Sequence, residues 1–369
     1  MTAAPAYFVV FVLAVVLSRA LSAAVRRWAT RTGFVDHPGG RKVQDSPVAL
    51  GGGLAVLASF ALTVLAGTAA ILLAPRDLSP SSPLGSIATR VEVSRPVLLQ
   101  LAAVLVGATV ALFTGLMDDR RKKEDTFPVW AKLAGQSLAA IPAIASGIHV
   151  TFLPGEALNG VATFVWILLI TNAFNFLDNM DGLSAGIAAV ASALFAAVAI
   201  AEGQILIAGL LLALLGSLLG FLPLNFFPAR LYLGDAGAFC IGNLLGTLTV
   251  LESYVTRDSP TLLPVCFPLI VLAVPLIDTS IAVVSRFRER RPLHVADHGH
   301  LSHRLVARGL SRRQAVVVLY LLTLCFGLSA TLLPGASAAQ SVLVLAQAVA
   351  LATLLLALLA VIPRRDPPT

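Results

Sequence analysis

Charge is scarce in this chain. Only 12% of its 369 residues are Asp, Glu, Lys or Arg, about half the share that a water-soluble domain carries. With 57% of residues hydrophobic, this shortage excludes an ordinary soluble enzyme and points to a protein embedded in lipid. Cysteine is scarce too. Cys240, Cys266 and Cys325 all fall inside apolar runs, which excludes a disulfide framework and a thiolate metal site and leaves them as small packing residues. Strict apolar–polar alternation is missing, which argues against barrel strands. The first apolar run, Tyr7 to Val25, has no basic segment before it and reads as a retained span rather than a cleaved leader. No soluble domain, low-complexity tract or internal repeat stands out.

What the chain does have is a succession of apolar runs of about 20 residues, the length that carries a helix across hydrocarbon. The expected architecture is all-α, a polytopic membrane bundle of about eleven transmembrane helices forming a single domain over 1–369. The spans are expected near 6–25, 51–74, 97–117, 133–150, 161–177, 183–201, 204–222, 236–256, 263–284, 314–333 and 341–362. The Ser/Pro-rich stretch 75–96 reads as an external loop and 363–369 as a disordered tail. Threaded this way, one set of connections holds 21 Lys and Arg residues and the other holds four. The positive-inside rule then predicts an external N-terminus and a cytoplasmic C-terminus. The net charge of +7 fits basic loops facing anionic lipid, and no nucleic-acid partner is expected.

Four polar clusters interrupt the apolar background, all on the predicted cytoplasmic side. Asp118-Asp119 closes the third run and is followed by Arg120, Arg121, Lys122 and Lys123. Neighbouring carboxylates repel unless a proton or cation lies between them, although a solvated helix end balanced by those cations is the plainer reading. Asn172, Asn175 and Asn179 share a face if their helix continues through them. Asp178 borders that face, and Asp181-Gly182 ends the element. Amides and acids at the edge of hydrocarbon mark function or serve as caps. Asp235, between Gly234 and Gly237, suits a helix cap or an anionic ligand at a helix start. His300 and His303 are spaced to share a helical face, with His298 before them and Arg304 and Arg308 after. Zinc would lack a third and fourth ligand there. Imidazole with guanidinium suits phosphate oxygens, and a solvated basic loop is the alternative. Gly51-Gly52-Gly53 permits close helix packing or, with Arg41-Lys42 upstream, approach of an anion. Together, carboxylates at three separated positions fit a hard divalent cation such as Mg²⁺. Basic groups around it fit phosphoryl transfer, which rests on positioning and charge neutralisation.

In order along the chain, these segments resemble the polyprenyl-phosphate N-acetylhexosamine-1-phosphate transferases. The resemblance runs through Gly33-Phe34-Val35-Asp36-His37-Pro38, Arg41-Lys42-Val43, the triple glycine and Gly115-Leu116-Met117-Asp118-Asp119. It continues through Asn172 to Gly182, Asn225 to Gly237, Pro275-Leu276-Ile277-Asp278-Thr279 and Ala296-Asp297-His298-Gly299-His300-Leu301-Ser302-His303-Arg304. The last segment looks like the branch that primes lipid-linked polysaccharides and teichoic acids. The resemblance implies transfer of GlcNAc-1-phosphate from a UDP-N-acetylhexosamine to undecaprenyl phosphate at the cytoplasmic face of a bacterial inner membrane, releasing UMP. It implies Mg²⁺, with Mn²⁺ as a substitute, on Asp235 with Asp118 and Asp119. It also implies a catalytic set of Asp118, Asp119, Asp178, Asp235, His300 and His303. The nucleotide-sugar pocket would hold Lys42, Asn172, Asn175, Asp178, Asp181, Tyr232, His300, His303 and Arg304, with Tyr232 stacking on uracil. Membrane lipids are implied partners, and a homodimer is a candidate assembly. Ser302 stands where a histidine is common, His298 where a basic residue is usual and Asn179 where a glycine is common. Residues 44–50 lack the basic residues often found there. Two alternatives stay open. One is the branch that loads the peptidoglycan MurNAc-pentapeptide. The other, in a different class, is a secondary transporter, which would place ionisable groups near the midplane on broken helices; only Asp278 and Arg19 lie that deep.

Overall fold

A computed structural model describes residues 3–37, 46–75, 82, 85, 93–121, 127–255, 259–289 and 299–361. Thirteen helices and one two-stranded ribbon make up its regular structure. They are α1 (Ala4–Thr32), β1 (Val35–Asp36), β2 (Val48–Ala49), α2 (Gly52–Leu72), α3 (Arg95–Arg121), α4 (Val129–Ala145), α5 (Glu156–Leu177), α6 (Leu183–Ala201), α7 (Ile205–Asn225) and α8 (Gly234–Leu251). After a short 3₁₀ turn come α9 (Phe267–Val271), α10 (Ala273–Arg288), α11 (Leu301–Val306), α12 (Arg312–Ala330) and α13 (Ala338–Val361). Among the described residues, nine helices are long and apolar enough to cross a membrane. The chain is therefore an all-α polytopic membrane protein.

Two of the expected spans differ from a plain crossing. The stretch 133–150 forms the 17-residue α4, shorter than the thickness of hydrocarbon requires. Pro128 caps its start, and it ends at Ser146, before Gly147 at φ 84°. The stretch 263–284 is broken by a 71° bend between Leu263–Val271 and Ala273–Arg288. Pro275 is the cause in the chain: it has no N–H for the Val271 carbonyl, and its ring crowds that carbonyl. In contrast, α1 runs on past residue 25 to Thr32. Its 29 residues reach about 43 Å at 1.5 Å per residue, so its last turns leave the hydrocarbon. Gly33, at φ 71°, terminates it.

Helix α8 is the axis of the bundle. Its apolar window is 83% buried, against 17% for the peripheral α1 and α13. Glycine lets neighbouring backbones reach it, as is common where helices pack in lipid. A Cβ at Gly53 would lie 2.3 Å from the Gly237 Cα, and one at Gly115 2.3 Å from the Asp235 carbonyl oxygen. The N-terminal ends of α2 and α8 and the C-terminal end of α3 are thereby drawn together. The ribbon joins them, with β1 and β2 antiparallel and Ala49 bridging to Leu231. Tyr232 N–H donates to the Ala49 carbonyl at 2.8 Å, and the Tyr232 carbonyl accepts from Gly52 N–H at 2.9 Å.

Candidate active site

The site is built where α3 and α5 end and α4 and α8 begin. Gly234, at φ 74°, turns the chain into α8, whose first amides would otherwise lack partners. Asp119 supplies them across the bundle, accepting from Asp235 N–H at 3.0 Å and from Ala236 N–H at 3.1 Å. The Asp119 carboxylate is thus an N-terminal cap delivered by another helix. It is buried, as is Asp118.

The preceding acid has different partners. The Asp118 carboxyl lies beside that of Asp235 and pairs with the Lys132 ammonium at the start of α4. Two carboxyls can be this close only with a proton or cation between them. Asn175, near the end of α5, donates to Asp235 Oδ1 at 2.7 Å. Asp118, Asp235, Asn175 and Lys132 therefore form one cluster. Among the described residues, no group of three or more Asp, Glu, His or Cys is placed to enclose a metal by itself. The donor set still fits Mg²⁺, which is usually held by one or two carboxylates with water and substrate phosphates completing the shell.

The remaining segments gather around the end of α5. The helix stops at Leu177, with Asp178 as its C-cap, so Asn179 leaves the shared face expected from its spacing. Its side chain instead folds back to the Phe176 carbonyl at 2.9 Å and accepts from the Ser302 hydroxyl. Asn172 sits deeper, tying α5 to α4 through Gln136 at 2.7 Å. Asp181 accepts from Ala229 N–H at 2.9 Å. Burial pushes its carboxyl above the ordinary range, and the Ala229 bond and nearby Arg312 oppose that. Tyr232 is close enough to Asp181, Asp36 and Asp178 to feel their charge. With burial as the main cause, its hydroxyl is pushed up to about 12, so it stays protonated at neutral pH.

His300 and His303 are neighbours at the start of one short helix. His300 is the N-cap of α11, which starts at Leu301. The two rings lie 6.3 Å apart, with Phe176 6.4 Å from His300 and the Arg286 guanidinium 5.1 Å from the Phe176 ring. Asp278 holds this group in place. Its Oδ2 lies 2.8 Å from His300 Nδ1, and its Oδ1 accepts from Leu301 N–H at 2.6 Å. Arg304 donates to the Gly299 carbonyl at 2.6 Å. Lys42 and His298 lie outside the described residues. The triple glycine is packing surface. A Cβ at Gly52 would strike the Phe221 ring at 2.4 Å, and Gly53 touches Gly237.

Three residues of this region, Lys132, Gln136 and Asp278, carried no assigned role in the sequence. An acid deep in an apolar run was the available signal for Asp278, because such a group needs a buried partner.

A family model described as Glycosyl transferase family 4 matches residues 101–253. Over 338 residues the chain is 31% identical to a probable undecaprenyl-phosphate N-acetylglucosaminyl 1-phosphate transferase of Bacillus subtilis, covering 89% of this chain and 85% of that protein. The chain belongs to glycosyl transferase family 4. A decaprenyl-phosphate N-acetylglucosaminephosphotransferase of Mycolicibacterium smegmatis is 33% identical, covering 85% of this chain and 80% of that protein. A phospho-N-acetylmuramoyl-pentapeptide-transferase of Levilactobacillus brevis is 32% identical over 152 residues, 37% of this chain and 47% of that protein. The family 4 match contains Asp118, Lys132, Asn175 and Asp235 and ends before Asp278 and His300.

Proposed function

We propose that this protein transfers N-acetylglucosamine 1-phosphate from UDP-N-acetylglucosamine to a polyprenyl phosphate such as undecaprenyl phosphate, releasing UMP. The observation that carries the reading is the cluster of Asp118, Asp235, Asn175 and Lys132 at one end of a membrane bundle. A soluble nucleotide and a lipid phosphate can meet there. The longer coverage of the N-acetylglucosaminyl relatives favours that sugar over the pentapeptide branch. We place this end at the cytoplasmic face of a bacterial inner membrane, because the basic connections gather there. We also retain eleven crossings, counting α4 and the bent pair.

Asp118 and Asp235 would hold Mg²⁺. When bound, the ion would neutralise charge on the diphosphate and favour departure of UMP. Asn175 fixes the Asp235 carboxylate by its 2.7 Å bond. Asp119 acts as a positioning residue, since its oxygens hold the first turn of α8 and so aim Asp235. Lys132 offers its ammonium to the lipid phosphate when that group arrives. A phosphate oxygen of the lipid attacks the β-phosphorus of the UDP-sugar. One P–O bond forms, the bond to the UMP oxygen breaks, and UMP carries away the electron pair. A phosphomonoester loses its second proton near pH 6, so no strong base is required. Asp178, Asp181 and Tyr232 border the nucleotide, with Tyr232 against uracil. His300 meets the sugar diphosphate with Nδ1 held by Asp278.

The test incubates purified protein with undecaprenyl phosphate, Mg²⁺ and a panel of UDP-sugars, reading UMP and lipid product by mass spectrometry. UMP and a GlcNAc-diphosphate lipid should form together. A burst of UMP without lipid acceptor would instead indicate a covalent aspartyl-phosphate. In proteoliposomes, sugar-nucleotide uptake without UMP release would indicate transport.

A further inference from the structure

A cavity lies at the other end of the bundle. It encloses about 520 Å³, with walls that include Gln100, His149, Trp166, Glu252, Tyr254 and Leu269. Gln100 and Asp118 share α3 and stand about 27 Å apart along its axis at 1.5 Å per residue. The cavity is therefore separate from the site above. Its volume is in the range of small-ligand pockets.

Glu252 sits in its wall just past the end of α8 and is only 4% exposed. Its Oε2 lies 3.2 Å from the Tyr254 hydroxyl, while Oε1 has no hydrogen-bond partner among the described residues. The Tyr254 hydroxyl also donates to the Thr249 carbonyl at 2.9 Å. It has a single hydrogen, which the Thr249 carbonyl and Glu252 Oε2 share. Burial pushes the Glu252 carboxyl up to about 8, and the Tyr254 bond opposes that. Oε1 is then left as a buried acceptor, a state that costs free energy. His149 adds a second acceptor. Its Nδ1 lies 3.1 Å from the Val150 carbonyl, so Nδ1 carries the proton and Nε2 keeps its lone pair in the neutral ring. Among the described residues, no Lys or Arg lines the walls. The described walls thus present an unpartnered Glu252 oxygen together with aromatic and aliphatic surface from Trp166 and Leu269.

We propose that this cavity binds an amphiphile whose polar end is a primary ammonium, hydrogen-bonded to Glu252 Oε1, with its alkyl body along the apolar wall. A phosphate or carboxylate would face the buried Glu252 carboxyl with no Lys or Arg among the described lining residues to pair with, so the cavity disfavours an anion. On binding, the Glu252 proton passes to the neutral amine, leaving a carboxylate paired with an ammonium, and an indole face adds attraction for a cation. A free alkylamine and the headgroup of an aminolipid share this chemistry. The proposal does not depend on the transferase reading.

The test titrates purified wild-type protein with dodecylamine, dodecanol and dodecanoate by native mass spectrometry, then repeats the titration in nanodiscs with and without phosphatidylethanolamine. Dodecylamine is expected to bind once, at least tenfold more tightly than either other probe. Glu252→Gln should lower its affinity at least tenfold, and Ala162→Phe, which adds bulk to the cavity wall, should do the same. Both variants should keep UMP release, which shows that they are folded. Bound phosphatidylethanolamine in the nanodisc arm would make the lipid the source; binding of dodecylamine alone would make it the free amine. Equal binding of the three probes, or undiminished amine binding by both variants, overturns the proposal.

Discussion

Asp118 and Asp119 are adjacent, yet each meets a different partner. Asp118 faces Asp235 and Lys132, whereas Asp119 caps α8. Their substitutions should separate accordingly. Asp235→Asn should lower turnover by about 10²–10³-fold or more, the scale of losing a group that stabilises developing charge, with little change in melting temperature. Asp119→Ala should cost about 1–3 kcal/mol of stability by orphaning two buried amides, as well as activity. Circular dichroism melts beside UMP release would distinguish the two. Asp278→Asn keeps an acceptor for Leu301 N–H but offers His300 Nδ1 a donor, which forces the other tautomer. It should cut kcat by about 10²–10³-fold, the scale of losing a group that stabilises developing charge. Adding His300→Ala to that variant should cost little more. Glu252 provides a pH test. Its carboxyl is raised from 4.5 to about 8, so its contribution to stability is full below 4.5 and is lost as pH rises through 8. Wild-type stability should fall across that window relative to Glu252→Gln. At this scale the sequence marked the acids but not their partners. Lys132 looks like any basic residue beside a membrane helix, and only the fold sets it on Asp118.

At the scale of elements, the helices were the legible part. Nine expected spans return as helices long enough to cross, because runs of about 20 apolar residues leave few alternatives in lipid. Their ends were less legible. The common face of Asn172, Asn175 and Asn179 assumed a helix that stops at Leu177, and the bend before Pro275 depends on which carbonyl loses its partner. Glycine shows how close the elements stand. Gly115→Val would drive side-chain carbon into the Asp235 carbonyl, 2.3 Å from where a Cβ would sit. Such overpacking costs about 1–3 kcal/mol or more. The variant should melt lower and lose activity together, because moving α3 off α8 separates Asp118 from Asp235.

At the scale of the molecule, the bundle has two unlike ends. One gathers acids, amides and basic residues around the first turn of α8. The other holds the cavity beside Glu252. The proposed orientation puts the first end in the cytoplasm, so a cysteine introduced at the exposed Arg27 should be protected from an impermeant thiol reagent in whole cells. One introduced at Phe152 should react. Convergence of the four polar segments could not be read from one dimension, since hydropathy orders helices along the chain without saying which neighbours touch. The central claim is that Asp118 and Asp235 share one divalent cation. The most direct measurement is Mn²⁺ binding by electron paramagnetic resonance, on wild type, Asp118→Asn and Asp235→Asn, with UDP-N-acetylglucosamine present. One tightly bound Mn²⁺ per chain in the wild type, lost in both variants, is the expected result. Undiminished binding in both variants would contradict the account.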